Sequence, residues 1–251
     1  STFHPLEIKN IHTVSLYGNN NSKPLKSWDI IGYMAIPGEP FQLNYPDKKF
    51  NFSTNTNTYY DTTFTWIEKT EASDPKEGEV ISDIYSVGPY LIPYQNKIQL
   101  EFILHDESFD HCGIYYFDQK NSEWILLETE IVLEEDLLRT TAFSGEIFAV
   151  IREINPPVIK QLSPQKGKVY SSDRLTDFSF QIEDFFSGIN GEENITMVLD
   201  GESLIFEYNS YQKKISYLLD KPLLPGNHHL AIEVKDNVNN VSNKAISFMI
   251  K

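Results

Sequence analysis

One cysteine stands in a chain of 251 residues. A single thiol closes no internal disulfide, so the small cross-linked secreted scaffolds are excluded. Basic residues are also short: 21 Lys and Arg face 36 Asp and Glu, a formal charge of −15. Such a surface repels a phosphate backbone and excludes a general nucleic-acid binder. No apolar run approaches the ~18 residues that a membrane-spanning helix needs, and no basic-then-apolar leader opens the sequence. Phosphate-cradling glycine loops, Pro-rich ligand motifs and basic amphipathic stretches are absent. The chain opens Ser1-Thr2-Phe3-His4-Pro5 and closes on the strand-like Ile250-Lys251. That reads as a piece of something longer.

Hydrophobic and aromatic residues are plentiful, at 40% and 13%, so a substantial core is available. Their spacing is that of strands. Phe178-Ser179-Phe180-Gln181-Ile182, Leu230-Ala231-Ile232-Glu233-Val234 and Ile246-Ser247-Phe248-Met249-Ile250 alternate apolar with polar. Period two sends one set of side chains inward and the other to water. Ile98–Leu104, Ile30–Ile36, Phe41–Tyr45, Thr62–Lys69, Gly113–Phe117, Trp124–Glu128, Ile147–Arg152 and Ser203–Tyr208 read as further strands. Pro37-Gly38, Asp200-Gly201 and Pro225-Gly226 punctuate them, and Asp200-Gly201 suits a tight hairpin. Ile131–Arg139 is rich in Leu and Glu without a clear cap, and reads as a short helix or a hairpin arm. The expected fold class is all-β, as two tandem β-sandwiches. Asn155-Pro156-Pro157 marks the joint, because proline donates no ladder hydrogen bond and restricts the residue before it. The expected domains are 1–154 and 155–251.

The second domain resembles bacterial immunoglobulin-like modules. The residues that carry this are Pro156-Pro157-Val158-Ile159, Glu183-Asp184-Phe185-Phe186-Ser187-Gly188-Ile189, the Val198-Leu199-Asp200-Gly201 hairpin, the run Leu224–Asp236, and Asn237-Val238-Asn239-Asn240-Val241-Ser242. Asn239 stands where such modules commonly carry Gly, and Asn also tolerates the left-handed conformation. The resemblance implies a fold and an extracytoplasmic setting, not a function.

Residues 40–152 resemble the β-region that follows the catalytic domain of lysostaphin-like (LytM-type) zinc peptidases of Bacteroidetes-like bacteria. The motifs are Tyr60-Asp61-Thr62-Thr63-Phe64, Ser82–Pro89, Ile98-Gln99-Leu100, Gly113–Asp118 with Trp124, and Ser144–Val150. That family holds zinc through His-x-x-x-Asp and His-x-His. Four residues beyond His4, His12, His105, His111, His228 and His229 stand Ile8, Leu16, Phe109, Tyr115, Ile232 and Glu233. No two histidines are separated by a single intervening residue. The resemblance therefore implies an accessory portion without the zinc ligands, and no catalytic residue is carried over.

His105-Asp106-Glu107-Ser108-Phe109-Asp110-His111-Cys112 holds zinc-type ligands without the usual close spacing, and reads more simply as a polar loop. His111 beside Cys112 favours a thiolate while Asp106, Glu107 and Asp110 oppose it, and no Gly-rich oxyanion turn accompanies it, so a nucleophile is not expected there. Calcium is the stronger metal candidate, with Asp184, Asp236, Asn237 and Asn239 as ligands. Segments at one pole of a sandwich can meet, and hard cations take clustered carboxylate and amide oxygens. The competing reading is that Asp184 and Asp236 cap their own turns. Trp28, Trp66, Trp124 and Tyr59-Tyr60 invite a sugar-stacking reading, against the ordinary use of such rings in sandwich cores.

The expected function is a non-catalytic accessory or interaction segment of a bacterial envelope or secreted protein. Its expected partner is a protein or a cell-wall or glycan surface. The alternatives are a carbohydrate-binding module beside a hydrolase, and an enzyme with a pocket around His105, His111 and Asp110.

Overall fold

The computed structural model describes residues 6–8, 11–16, 23, 26–90, 92–105 and 108–251. The chain divides into two compact units, Ser1–Arg152 and Glu153–Lys251. Regular structure among the described residues is β-strand apart from two short 3-10 turns.

In the first unit, two sheets enclose one core. The six-stranded sheet runs Leu6–Ile8, Phe41–Asn44, Phe50–Ser53, Pro93–Ile103, Leu137–Ser144, Glu130–Val132. The other sheet follows the order Glu123–Leu126, Cys112–Asp118, Ile147–Glu153, Tyr85–Gly88, Thr63–Lys69, Lys26–Ala35, Ile11–Leu16, with Gly78–Val80 paired beside Ile147–Glu153. Alternation decides which residues meet. Phe50 lies opposite Phe102 and Phe52 opposite Leu100, so four large apolar groups share one inner face. From the facing sheet Tyr85 stacks on Phe50 with ring centroids 4.5 Å apart. Each such ring contributes about 1.5–3 kcal/mol by leaving water.

The stretch Ile131–Arg139 is a hairpin arm, not a helix. Glu130–Val132 pairs with the start of Leu137–Ser144 around one 3-10 turn, which Asp136 closes in the left-handed region. Leu138 and Thr140 point inward there, and burial of the strand face outweighs the helix preference of Leu and Glu.

The second unit packs a sheet of Val158–Ser163, Asp177–Glu183, Lys214–Leu218 and Glu207–Asn209 on one of Val169–Tyr170, Val241–Ile250, Gly226–Lys235, Ile195–Leu199 and Glu202–Ser203. The first stretch of the unit feeds both sheets, with Val169–Tyr170 lying parallel to Val241–Ile250. This is the immunoglobulin-like two-sheet order. Phe178, Phe180, Ile182, Ile232, Val234 and Phe248 fill its interior. Asp200 and Gly201 both take positive φ, and Val198–Ser203 and Leu199–Glu202 pair around them as a tight hairpin requires.

Candidate cation site in the second unit

Two turns at one end of the second unit are built by aspartates. Asp184 follows the strand Asp177–Glu183, and its Oδ1 accepts the backbone N–H of Phe186 at 3.0 Å and of Gly188 at 2.6 Å. Gly188 sits at φ +83, where a side chain would be strained. The other turn joins Gly226–Lys235 to Val241–Ile250. Asp236 Oδ1 accepts the N–H of Val238 at 2.9 Å and of Asn240 at 2.8 Å, while Oδ2 accepts Asn240 Nδ2 at 2.8 Å. Asn239 holds φ 68 in that turn. Both aspartates therefore cap their own turns, as short acidic side chains do.

Asn237 stitches the turns together. Its N–H donates to Gly188 O at 3.0 Å and its Nδ2 to Ser187 O at 2.9 Å. This brings Asp184 and Asp236 close, and Glu153 joins them. Ligand atoms of the three carboxylates lie within 4.8 Å of one another. Glu153 is 1% exposed; no well-formed hydrogen bond reaches either of its oxygens, and the hydroxyl and backbone N–H of Ser187 beside it offset only part of the cost of burial. Asn237 Oδ1 is likewise buried without a partner, and the buried Ser187 hydroxyl faces Glu153 without a well-formed bond. Among the described residues no lysine or arginine pairs with any of the three acids. Burial pushes the Glu153 carboxyl up to about 8, against the pull of the Ser187 hydroxyl and with the added repulsion of Asp184 and Asp236. Burial also raises Asp236, against the pull of its bonds from Asn240 and Val238.

Of the four residues expected to bind calcium, the structure thus gathers Asp184, Asp236 and Asn237 at one pole. Asn239 is exposed and serves the turn through its backbone. Glu153 was not anticipated. Strand parity carries the signal: Ile147, Ala149, Ile151 and Glu153 share one face of an apolar run, so the acid belongs to a buried row.

The other candidates are placed elsewhere. Within His105–Cys112, Asp106 and Glu107 lie outside the described residues. Ser108 Oγ donates to Asp110 Oδ2 at 2.7 Å, and the buried Cys112 thiol donates to Asp110 O at 3.2 Å. Those contacts are of a polar loop. A cleft of about 400 Å³ is lined by Lys49, Ser82, Asp83, Tyr85, Leu104 and His105, without Asp110 or His111. Two of its polar groups have partners: Asp83 pairs with Lys69 at 2.9 Å, and the Tyr85 hydroxyl donates to Asp47 at 3.0 Å. His228 Nδ1 meets Asp200 Oδ2 at 2.6 Å, and its Nε2 meets Leu224 O at 2.8 Å.

The aromatic candidates divide. Trp124 is buried against Phe117, with its indole N–H donated to Ser73 O at 2.8 Å. Tyr59 is buried and Tyr60 exposed. The side chain of Trp28 lies outside the described residues. Trp66 is half-buried on an outer sheet face, between Gly32 and Gly88 on the neighbouring strands. A Cβ on Gly88 would stand 2.1 Å from its ring, and one on Gly32 would stand 2.4 Å from the ring of Phe64. The two rings stack at 6.0 Å, and Tyr90 meets Trp66 edge-on at 6.2 Å.

No protein-family model matches the chain. No curated protein matches it either. Similar solved structures include dimeric latent PorU from Porphyromonas gingivalis, at 15% identity and a TM-score of 0.30, covering 74% of this chain and 24% of that one. The extracellular domain of the putative one component system BT4673 from B. thetaiotaomicron matches at 14% identity and a TM-score of 0.27, covering 83% and 36%. Immunoglobulin domains 1–4 of Sidekick-1 match at 11% identity and a TM-score of 0.22, covering 88% and 74%. The chain thus spans about a quarter of the PorU chain and about a third of the BT4673 chain.

Proposed function

We propose that this chain is a non-catalytic accessory or interaction segment of a bacterial extracytoplasmic protein, working as the part C-terminal to a peptidoglycan-directed metallopeptidase. One observation carries the non-catalytic reading. Two side chains with the chemistry for catalysis are tied into local structure: the Cys112 thiol into its loop, His228 between Asp200 and Leu224. A nucleophile or base needs a substrate-facing lone pair or proton, and these groups spend theirs on turns. The test is co-sedimentation of the chain with purified peptidoglycan, with the supernatant assayed for released fragments. Retention without release is expected. Release of soluble fragments by the chain alone overturns the reading.

Carbohydrate recognition is the second reading, supported by the Phe64–Trp66–Tyr90 ladder on an outer face. Flat rings stack on sugar faces, but rings laid over strand glycines also protect backbone from water. Trp66→Ala separates these roles. Sugar recognition requires that signals on a glycan array vanish in the variant. A purely structural ladder leaves them unchanged.

A further inference from the structure

We propose that Glu153, Asp184 and Asp236, with Asn237 Oδ1 and Ser187 Oγ, form a binding site for a hard divalent cation, calcium, at one pole of the second unit. Acids on a surface cluster often and hold nothing. Here the cluster contains a glutamate that is 1% exposed and that meets no well-formed hydrogen bond, with only the neutral hydroxyl and N–H of Ser187 turned toward it.

A buried carboxylate in that condition is costly unless something positive meets it. No lysine or arginine among the described residues does so, and the nearest ionisable groups, Asp184 and Asp236, carry charge of the same sign. Within the second unit, the two other buried side-chain oxygens without a well-formed hydrogen bond among the described residues belong to the same pair of turns. Ser187 Oγ comes from the Asp184 turn and Asn237 Oδ1 from the Asp236 turn. Asn237 links those two turns, and they carry two of the three carboxylates that stand within 4.8 Å of one another.

The donor set selects the ion. Carboxylate, amide and hydroxyl oxygens suit calcium, which tolerates six to eight ligands in flexible geometry. No thiolate or imidazole belongs to the cluster, which disfavours zinc and copper. Magnesium demands near-octahedral geometry and gives up its water reluctantly, so it fits a set of turn oxygens less well. The turns are also held in place before any ion arrives. Asp184 Oδ1 and both oxygens of Asp236 take backbone and amide N–H groups, and Asn237 links the two turns. Binding therefore orders little backbone, which favours affinity.

The site is independent of the accessory reading above and would stand if that reading failed. The test uses the whole chain, stripped with EDTA, with calcium chloride titrated by calorimetry and melting followed with and without 5 mM calcium (~5 mM covers the weaker extracellular modules). Saturable one-to-one binding and a rise in the second unit's melting are expected. Glu153→Gln keeps the shape and removes the charge. It is expected to weaken calcium binding at least tenfold while leaving the metal-free protein as stable or more stable. Asp184→Asn, in the more accessible turn, gives a second loss of affinity that does not depend on substituting a buried residue. No heat and unchanged melting with calcium overturn the site and leave Glu153 a protonated core acid. An equal response of Glu153→Gln and the parent protein overturns the ligand assignment. A stronger response to magnesium or zinc than to calcium overturns the choice of ion.

Discussion

The two units treat acidic residues in opposite ways. In the first, acids near the core edge meet cations. Lys69 Nζ lies 2.7 Å from Asp47 and 2.9 Å from Asp83, and Arg139 Nε lies 2.9 Å from Glu101. In the second, Glu153 and Asp236 are buried beside Asp184, and among the described residues no basic group pairs with them. The same net negative chain therefore contains a region where carboxylates are compensated internally and one where compensation must come from a proton or an ion. A formal charge of −15 hides that distinction. Only the placement of individual carboxylates reveals it.

The largest expected effects break the comparison at the level of the cores. Phe102 is fully buried, pairs with Phe50 and touches Tyr85. Phe102→Ala should cost about 3–5 kcal/mol, because a cavity adds to the lost transfer energy. Phe180, equally buried, is its counterpart in the second unit. Calorimetry should show Phe102→Ala lowering the transition of the first unit and Phe180→Ala that of the second. A single transition moved equally by both variants would show that the two cores melt as one.

The next effect concerns the turn that carries Asp236. Its carboxylate accepts three hydrogen bonds while 1% exposed. Asp236→Ala strands two backbone N–H groups and an amide, at a cost of roughly 2–3 kcal/mol by the price of unsatisfied buried donors. Asp236→Asn keeps part of the acceptor set and should lose less. Chemical denaturation of both variants in EDTA measures this without any contribution from a cation.

The pH response distinguishes the units next. The Glu153 carboxyl is raised, from 4.5 to about 8. A raised acid contributes stability that is complete below its ordinary value and is lost as pH rises through the higher, folded one. In EDTA the second unit should therefore lose melting temperature between about pH 5 and pH 8, and Glu153→Gln should flatten that slope. A second unit that is flat in EDTA over the whole window would show that Glu153 is ionised and compensated by another route.

Much of the fold was legible because alternation leaves little freedom. A register slip would turn Phe178, Phe180 and Ile182 to solvent, so their pattern alone fixes a buried face. Asp200-Gly201 announces its hairpin because both residues must take positive φ. Shorter strands such as Phe50–Ser53 and Tyr85–Gly88 were not separately legible. In the first, Asn51 and Ser53 soften the signal, and in the second all four residues are buried, which erases alternation. The pole was legible in part. Asp184 and Asp236 were singled out as paired turn acids, because each begins a turn after a strand. Glu153 was not, since an acid following Arg152 at the end of a strand reads as surface. What buries it is the tertiary approach of the turns at Asp184 and Asp236, which lie far from it in sequence.

The smallest expected effect lies in the first unit, and its sign is opposite to that of Glu153. Asp47 is partly desolvated, which alone raises a carboxyl. The hydrogen bond from Lys69, with those from the Lys49 backbone and the Tyr85 hydroxyl, outweighs this and holds Asp47 below its ordinary value. A lowered acid contributes stability above its unfolded value of 3.8 and loses it as pH falls through the lower, folded one. The loss should therefore appear below about pH 4, well clear of the window in which Glu153 acts. Lys69 is more than a third exposed, so solvent screens the pair and its worth stays near ~0.5–1 kcal/mol. Asp47→Asn should lower the first unit's melting slightly at pH 7 and converge with the parent protein near pH 3. The gap should also shrink in high salt, because an exposed pair is screened. A gap that persists undiminished at pH 3 would mean that Asp47 acts through its backbone bond to Lys49 and not through its charge.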